Sequence, residues 1–233
     1  DHLNYYSAGG GSASGGKDAM DTYLADKANI FLYQKPEDTL ILGAQCAPTI
    51  INRYGEKIES KTLVVDALKL PDTWTLRIPG IHNRYDAALA LAVARALNIS
   101  DGISRHAFQS FMGVPGRLEL IAEKNGIEIY NDNNSTTPDA TIAGLRAVGD
   151  AGERRVVLII GGDEKNLDMS GLIAEISKWC SKVVLFKERG TDRIRDEIFA
   201  LKDEGAEVYE EEGMKATVER AFLVAAPGET ILY

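Results

Sequence analysis

Ile127-Glu128-Ile129-Tyr130-Asn131-Asp132-Asn133-Asn134-Ser135-Thr136-Thr137-Pro138-Asp139 decides how the second half of the chain folds. Apolar and polar residues alternate at its start, which predicts a strand over 127–131, and Pro138 stands where the first turn of a helix tolerates proline. A strand, a polar loop and a helix over 138–148 therefore follow one another. The same texture recurs downstream. Strands are predicted at 117–122, 155–160, 182–187, 206–209 and 229–232, and helices at 169–179, 191–203 and 213–225. Strands alternating with helices argue for βαβ units and a mostly parallel sheet, an α/β fold.

Upstream of Gly113-Val114-Pro115-Gly116 the pattern is different, and the domain boundary is placed there, giving domains 1–112 and 113–233. Met20, Tyr23, Leu24, Ile30 and Phe31 recur at helical spacing, so a helix over 20–33 carries Lys27. A short strand is expected at 39–42, with alternating runs at 62–67 and 74–78. Pro79-Gly80 breaks the pattern before an Ala-rich helix at 84–97, and another helix falls near 104–112. Residues 7–16, Ser-Ala-Gly-Gly-Gly-Ser-Ala-Ser-Gly-Gly, have the composition of a flexible linker. They do not make a GxxxxGK[ST] phosphate loop, because Gly16-Lys17 is followed by Asp18. The last predicted strand ends at Tyr233 with no closing helix, and the chain reads as cut at both ends.

Composition narrows the function. The 233 residues, 45% hydrophobic and 26% charged, can build a real core and exclude a disordered or rod-like chain. Thirty-five acidic against 26 basic residues give a net charge of −9, which argues against a general nucleic-acid or anionic-membrane binder and leaves small anions as the polyanionic ligands to expect. Cys46 and Cys180 stand far apart with no ligand spacing, so neither a disulfide framework nor a structural zinc site is expected. No apolar run approaches the length of a membrane span. A reducing, cytoplasmic setting, no membrane partner and a monomer are the expectations.

Four segments could carry chemistry, and each has a plainer reading. Asp1-His2-Leu3-Asn4 could offer an imidazole to a metal, or a solvated terminal histidine. Pro79-Gly80-Ile81-His82-Asn83 could cap a helix or present an amide to a ligand. The seven polar residues 131–137 follow a strand, and the carboxyl end of a strand is where α/β sheets bind ligands. One polar residue suffices for an N-cap, so a functional loop and a structural one stay open. Ile159-Ile160-Gly161-Gly162-Asp163-Glu164-Lys165 also ends a strand; two glycines permit close approach and Lys165 offers a cation, or the segment is a turn with a solvated lysine.

Taken in order, these segments, together with Tyr23-Leu24-Ala25-Asp26-Lys27-Ala28-Asn29-Ile30-Phe31 and Gly116-Arg117-Leu118-Glu119, resemble the ATP-dependent Mur ligases of peptidoglycan synthesis. The resemblance is greatest to the branch that adds D-glutamate to UDP-N-acetylmuramoyl-L-alanine (UDP-MurNAc-L-Ala). It implies part of a central ATPase domain over 1–112, with 7–16 as an insertion, and a Rossmann-like C-terminal domain over 113–233. It also implies ADP-forming amide ligation through an acyl phosphate, with ATP and Mg²⁺ required.

Residue by residue, the resemblance makes His2 a magnesium ligand and Lys27 a lysine that becomes a carbamate, which would turn a cation into an oxygen ligand suited to Mg²⁺. Asn83 is implied against the adenine, Arg117 at the nucleotide phosphates and Asp132 at the ribose hydroxyls. Thr136 and Lys165 are implied for the D-glutamate pocket, Lys165 by pairing with a carboxylate. Without the ten residues 7–16, His2 and Lys27 would stand fifteen positions apart, the separation expected in the family.

The chain departs from the family pattern in lacking its phosphate loop, so the fragment is expected not to turn over alone. It also has Asn134 where many members have lysine, Gly116 where many have histidine and Asp86 where many have asparagine. Rival expectations are a sister ligase adding another amino acid, a folylpolyglutamate synthetase as a more distant relative, and a non-catalytic nucleotide-binding module.

Overall fold

The computed structural model describes residues 17–149, 152–162 and 167–233, so His2, the 7–16 stretch and Lys165 lie outside the described residues. The chain divides into two compact units. One takes the residues up to Arg77 together with Ile81–Phe111, and the other takes Ile78–Gly80 with Met112–Tyr233.

The first unit is built on two parallel strands, β1 (Thr39–Gly43) and β2 (Lys61–Val65), with Thr39 opposite Lys61. Helix α1 (Lys17–Leu32) and α2 (Ala47–Tyr54) cover one face: Ala28 and Phe31 of α1 are buried with Leu40, Leu42, Ile50 and Tyr54. The opposite face takes α3 (Ile81–Ala96), whose Ala88 and Leu91 are buried with Val65, Leu70 and Trp74, against which Ile41 packs. Helix α4 (Asp101–Ser110) follows, with Ser100 as N-cap accepting from the Ile103 amide at 3.4 Å.

Several expectations for this half need amending. The buried stripe of α1 runs through Ala28 and Phe31, while Ile30 points outward at 78% exposure. Segment 74–78 is not a strand: Trp74 is buried beneath α3, and the backbone there is held by Arg84, whose guanidinium donates to the carbonyls of Leu70 and Trp74 at 3.2 and 3.1 Å. Helix α2 has no counterpart among the predicted elements. Helix α3 starts three residues early, because Gly80 turns the chain at φ +99°; Asn83 therefore lies inside the first turn and is not its cap.

In the second unit, β3 (Glu119–Lys124) and β4 (Ile127–Asn131) form an antiparallel hairpin closed by Asn125 and Gly126, at φ +56° and +75°. Both central residues lie in the left-handed region, as a tight Asn-Gly turn requires. Then come α5 (Pro138–Val148), β5 (Val156–Ile160), α6 (Ser170–Trp179), β6 (Cys180–Phe186), the short α7 (Arg189–Asp192) and α8 (Arg195–Ala200), β7 (Glu207–Glu211), α9 (Met214–Val224) and β8 (Thr230–Leu232). The sheet order is β3-β4-β8-β5-β6-β7, and every pairing except β3 with β4 is parallel.

Both faces of this sheet are covered, which explains why Val156–Ile160 and Val183–Phe186 read as unbroken apolar runs. Val156, Leu158, Val183 and Leu185 face Leu145 of α5 and Leu172 and Ile176 of α6. Val157, Val184 and Ile231 face Ala221 of α9. Two shifts from the sequence reading have local causes. Strand β3 begins at Glu119 because Gly116 and Leu118, at φ +72° and +47°, form a turn. The helix expected over 191–203 is split, since the Thr191 hydroxyl is tied to the Phe186 carbonyl at 2.7 Å and holds the first turn against the strand end. No helix among the described residues is long and apolar enough to cross a membrane.

Candidate functional site

The loops that follow β4 and β5 open on the carboxyl edge of the sheet, with β8 between them. Open α/β sheets place ligands at this edge. Two adjoining clefts lie here. One, about 260 Å³, is lined by Ser135, Thr136, Thr137, Gly161, Gly162 and Thr191. The other, about 300 Å³, is lined by Asp132, Ser135, Phe186, Glu188, Met214 and Tyr233. Each suits a small ligand or one portion of a larger one.

The loop after β4 is ordered by its own polar residues. The Leu118 amide donates to Asp132 Oδ1 at 2.8 Å, and the Ser135 hydroxyl donates to Asp132 Oδ2. Each carboxylate oxygen keeps acceptor capacity after one such bond, so Asp132 can still receive a ligand hydroxyl. Thr137 is the N-cap of α5, accepting from the Ala140 amide at 3.2 Å, and Pro138 follows at the first helical position. Thr136 is exposed and lines the first cleft. Arg117 is exposed on the turn that packs against this loop.

The loop after β5 is pinned across to the end of β6. Gly162, at φ +122°, donates its amide to Glu188 Oε2 at 2.8 Å, and Gly190 returns a bond to the Gly162 carbonyl at 3.0 Å. Gly161 leaves no room for a side chain, because a Cβ there would lie 2.9 Å from Phe186. Beyond the loop, the amide and hydroxyl of Ser170 hold the Asp168 carboxyl below the usual carboxylate range; its bond from the Ser170 amide at 3.0 Å starts α6.

In the first unit, Asn83 is half-buried in the first turn of α3. That turn is held beside the end of β1 by Tyr85, whose hydroxyl accepts from the Gln45 amide at 3.2 Å. Lys27 is exposed on α1, its Nζ 5.6 Å from the Tyr23 ring centroid. The helices bearing Lys27 and Asn83 cover opposite faces of β1–β2. Of the residues singled out from sequence, Arg117, Asp132 and Thr136 are thus gathered in the second unit, and Lys27 and Asn83 belong to the first. The sequence reading took in Ser135 only as part of the 131–137 loop, and it passed over Glu188 and Thr191. Glu188-x-x-Thr191 immediately after an apolar strand was the available signal for the last two, since side chains at that spacing can cap a helix start reciprocally, as these do.

Comparison with known proteins adds a family to this geometry. Residues 116–233 match the family described as Mur ligase, glutamate ligase domain. The chain belongs to the Mur ligase family. Among its relatives, the UDP-N-acetylmuramoylalanine--D-glutamate ligase of Ralstonia nicotianae is 35% identical over 180 residues, which are 77% of this chain and 34% of that protein. The protein of the same name from Burkholderia mallei is 35% identical over 157 residues, 67% of this chain and 30% of the relative. The chain thus spans about a third of the length of these two relatives.

Solved structures share the fold at low identity. Folylpolyglutamate synthase of Mycobacterium tuberculosis, complexed with ADP, aligns over 95% of this chain and 57% of its own, with a TM-score of 0.69 and 16% identity. The MurF ligase of Thermotoga maritima, in complex with ADP, aligns over 93% and 53%, with a TM-score of 0.60 and 15% identity. The α/β fold with its mostly parallel sheet is therefore common to Mur ligases and folylpolyglutamate synthases.

Proposed function

We propose that the full-length protein is an ATP-dependent, ADP-forming amide ligase that joins D-glutamate to UDP-MurNAc-L-Ala in peptidoglycan precursor synthesis. One observation carries this reading: the Asp132–Thr136 loop and the Gly161–Gly162 turn line adjoining clefts at the carboxyl edge of a sheet that matches the glutamate ligase domain throughout. The relatives named for this reaction support the choice of amino acid.

In this reading ATP transfers its terminal phosphoryl group to the carboxylate of UDP-MurNAc-L-Ala, releasing ADP. The amine of D-glutamate then attacks the acyl phosphate and expels inorganic phosphate. Arg117 supplies a fixed cation for the nucleotide phosphates, and Asp132 accepts hydrogen bonds from the ribose hydroxyls. Asn83 meets the adenine edge. Thr136 and Lys165 line the D-glutamate pocket, with Lys165 pairing a carboxylate. Much of the rate in phosphoryl transfer comes from such positioning and charge neutralisation.

Magnesium is the family's companion to ATP, and His2 with carbamylated Lys27 are the residues the resemblance assigns to it. Among the described residues no three His, Cys, Asp or Glu side chains group to hold a metal ion, and the exposed Lys27 becomes an oxygen ligand only after carbamylation. His2, outside the described residues, and the Lys27 carbamate would hold the ion, and the roles given above are assigned with no step routed through it.

The test is phosphate release by the full-length protein with ATP, UDP-MurNAc-L-Ala and a panel of amino acids. Release that depends on D-glutamate is the expected result. Equal release with L-lysine or meso-diaminopimelate would overturn the specificity. ATP binding without release for any amino acid would leave a nucleotide-binding module.

A further inference from the structure

Arg117 sits between two residues in left-handed backbone conformations, Gly116 and Leu118, and both are fastened to the 131–134 loop. Leu118 is fastened through its amide to Asp132. Gly116 is fastened to the loop by one direct bond, with a second through its neighbour and a third inside its own turn. Its carbonyl accepts from the Asn134 amide at 3.0 Å, the neighbouring Pro115 carbonyl accepts from Asn134 Nδ2 at 3.3 Å, and its own amide donates to Glu119 Oε2 at 2.9 Å. Gly116 is also buried, and the space a side chain would need is filled: an added Cβ would lie 2.3 Å from Asn133 Oδ1 and 2.6 Å from Asn134 Nδ2. The bare backbone of one segment and the amide side chains of the other therefore require each other.

We propose that Gly116 and Asn134 form an interlock that aims Arg117, so that Asn134 is a positioning residue for the nucleotide and does not select the amino acid. Asn134 stands in the middle of the polar loop, where its sequence position alone suggests contact with substrate. One N–H of its side-chain amide instead donates to the Pro115 carbonyl, and its backbone N–H to that of Gly116. The loop that presents Asp132 is thereby the same body that orients Arg117, and the two move together. The nucleotide part of this inference rests on the ligase reading above; the interlock does not.

The experiment uses the full-length protein with Asn134→Ala, Gly116→Ala and Arg117→Ala, singly and with Asn134→Ala added to Arg117→Ala. Two readouts are taken: amide hydrogen exchange at residues 116–118, and the KM values for ATP and for the amino acid. With the interlock, exchange at 116–118 rises about fivefold or more in Asn134→Ala and Gly116→Ala while β6 is unaffected. The KM for ATP rises about fivefold, the KM for the amino acid stays within about twofold, and Asn134→Ala has no further effect on ATP once Arg117 is gone. Unchanged exchange in Asn134→Ala would overturn the interlock, as would a defect confined to the amino acid or one that adds to Arg117→Ala. Raised exchange with an ATP KM indifferent to Arg117→Ala would support the interlock and remove the nucleotide role from Arg117. If Gly116→Ala fails to fold, Asn134→Ala carries the test alone.

Discussion

The amide of Leu118 donates to the carboxylate of Asp132 at 2.8 Å while Leu118 itself is buried at φ +47°. A left-handed leucine is costly and persists only where its surroundings hold it. Asp132 is the holder, and it also takes the Ser135 hydroxyl. Asp132→Ala leaves two donors without a partner and should cost about 1–3 kcal/mol in urea denaturation. Asp132→Asn keeps an acceptor oxygen for Leu118 and should cost under about 1 kcal/mol. Equal losses from the two variants would show that the carboxylate does not hold the turn.

Gly43 and Tyr85 form a second close fit. A Cβ on Gly43 would fall 2.1 Å from the Tyr85 hydroxyl, so Gly43→Ala must push Tyr85 and the first turn of α3 away from β1. Overpacking of this kind costs about 1–3 kcal/mol. Tyr85→Phe removes the oxygen and should suppress part of that loss, which a double-mutant cycle on thermal unfolding would read as a coupling of at least about 0.5 kcal/mol. Strict additivity would contradict the contact.

Glu175 joins α5 to α6. It accepts from Arg146 Nε at 3.0 Å, Lys178 Nζ at 2.8 Å and Trp179 Nε1 at 2.8 Å, and these bonds, that from Arg146 foremost, hold its carboxyl far below the usual range. A carboxyl whose folded pKa is depressed stabilises fully above its unfolded value, about 4.3, and loses that contribution as pH falls through the folded value. Glu175→Gln should therefore destabilise by about 1–3 kcal/mol at pH 7, and the gap to the unmodified protein should close only in acid below about pH 4. A gap that closes between pH 5 and 7 would assign the effect to another group.

Lys182 and Glu229 pair at 2.5 Å with both side chains 11% exposed, and Glu229 also accepts from the Ser181 hydroxyl and the Ala226 amide. Removing only the cation leaves a buried carboxylate, so Lys182→Met should cost roughly 3 kcal/mol. Adding Glu229→Gln to that variant should recover part of the loss, because the neutral amide still has an oxygen for Ala226. No recovery on chemical denaturation would mean that the pair is not desolvated.

Most of the second unit was legible because its sheet is covered on both faces. Val156–Ile160 and Val183–Phe186 had to be apolar throughout, and Pro138 marked the start of α5. Helix α2 escaped because Cys46-Ala47-Pro48-Thr49 reads as a turn, and only Ile50 and Tyr54, one helical turn apart, hint otherwise. The polar loop after β4 was recognisable as a candidate site from composition. That Asn134 is bound to Pro115, or Gly162 to Glu188, was not, because those partners lie nineteen and twenty-six residues away and nothing local encodes the pairing. Arg84 shows the same blindness: a charged residue in a helix looks solvated until the carbonyls of Leu70 and Trp74 are found beneath it.

The slot between β4 and β5 is filled by β8, which registers Glu128 against Thr230 and Val156 against that same threonine. While the ribosome is still making the stretch that precedes Thr230, the inner borders of β4 and β5 have no neighbour and two apolar ladders stand open in the emerging polypeptide. Closure of this sheet awaits the arrival of a three-residue wedge, and protection by chaperones matters most in the interval before it comes.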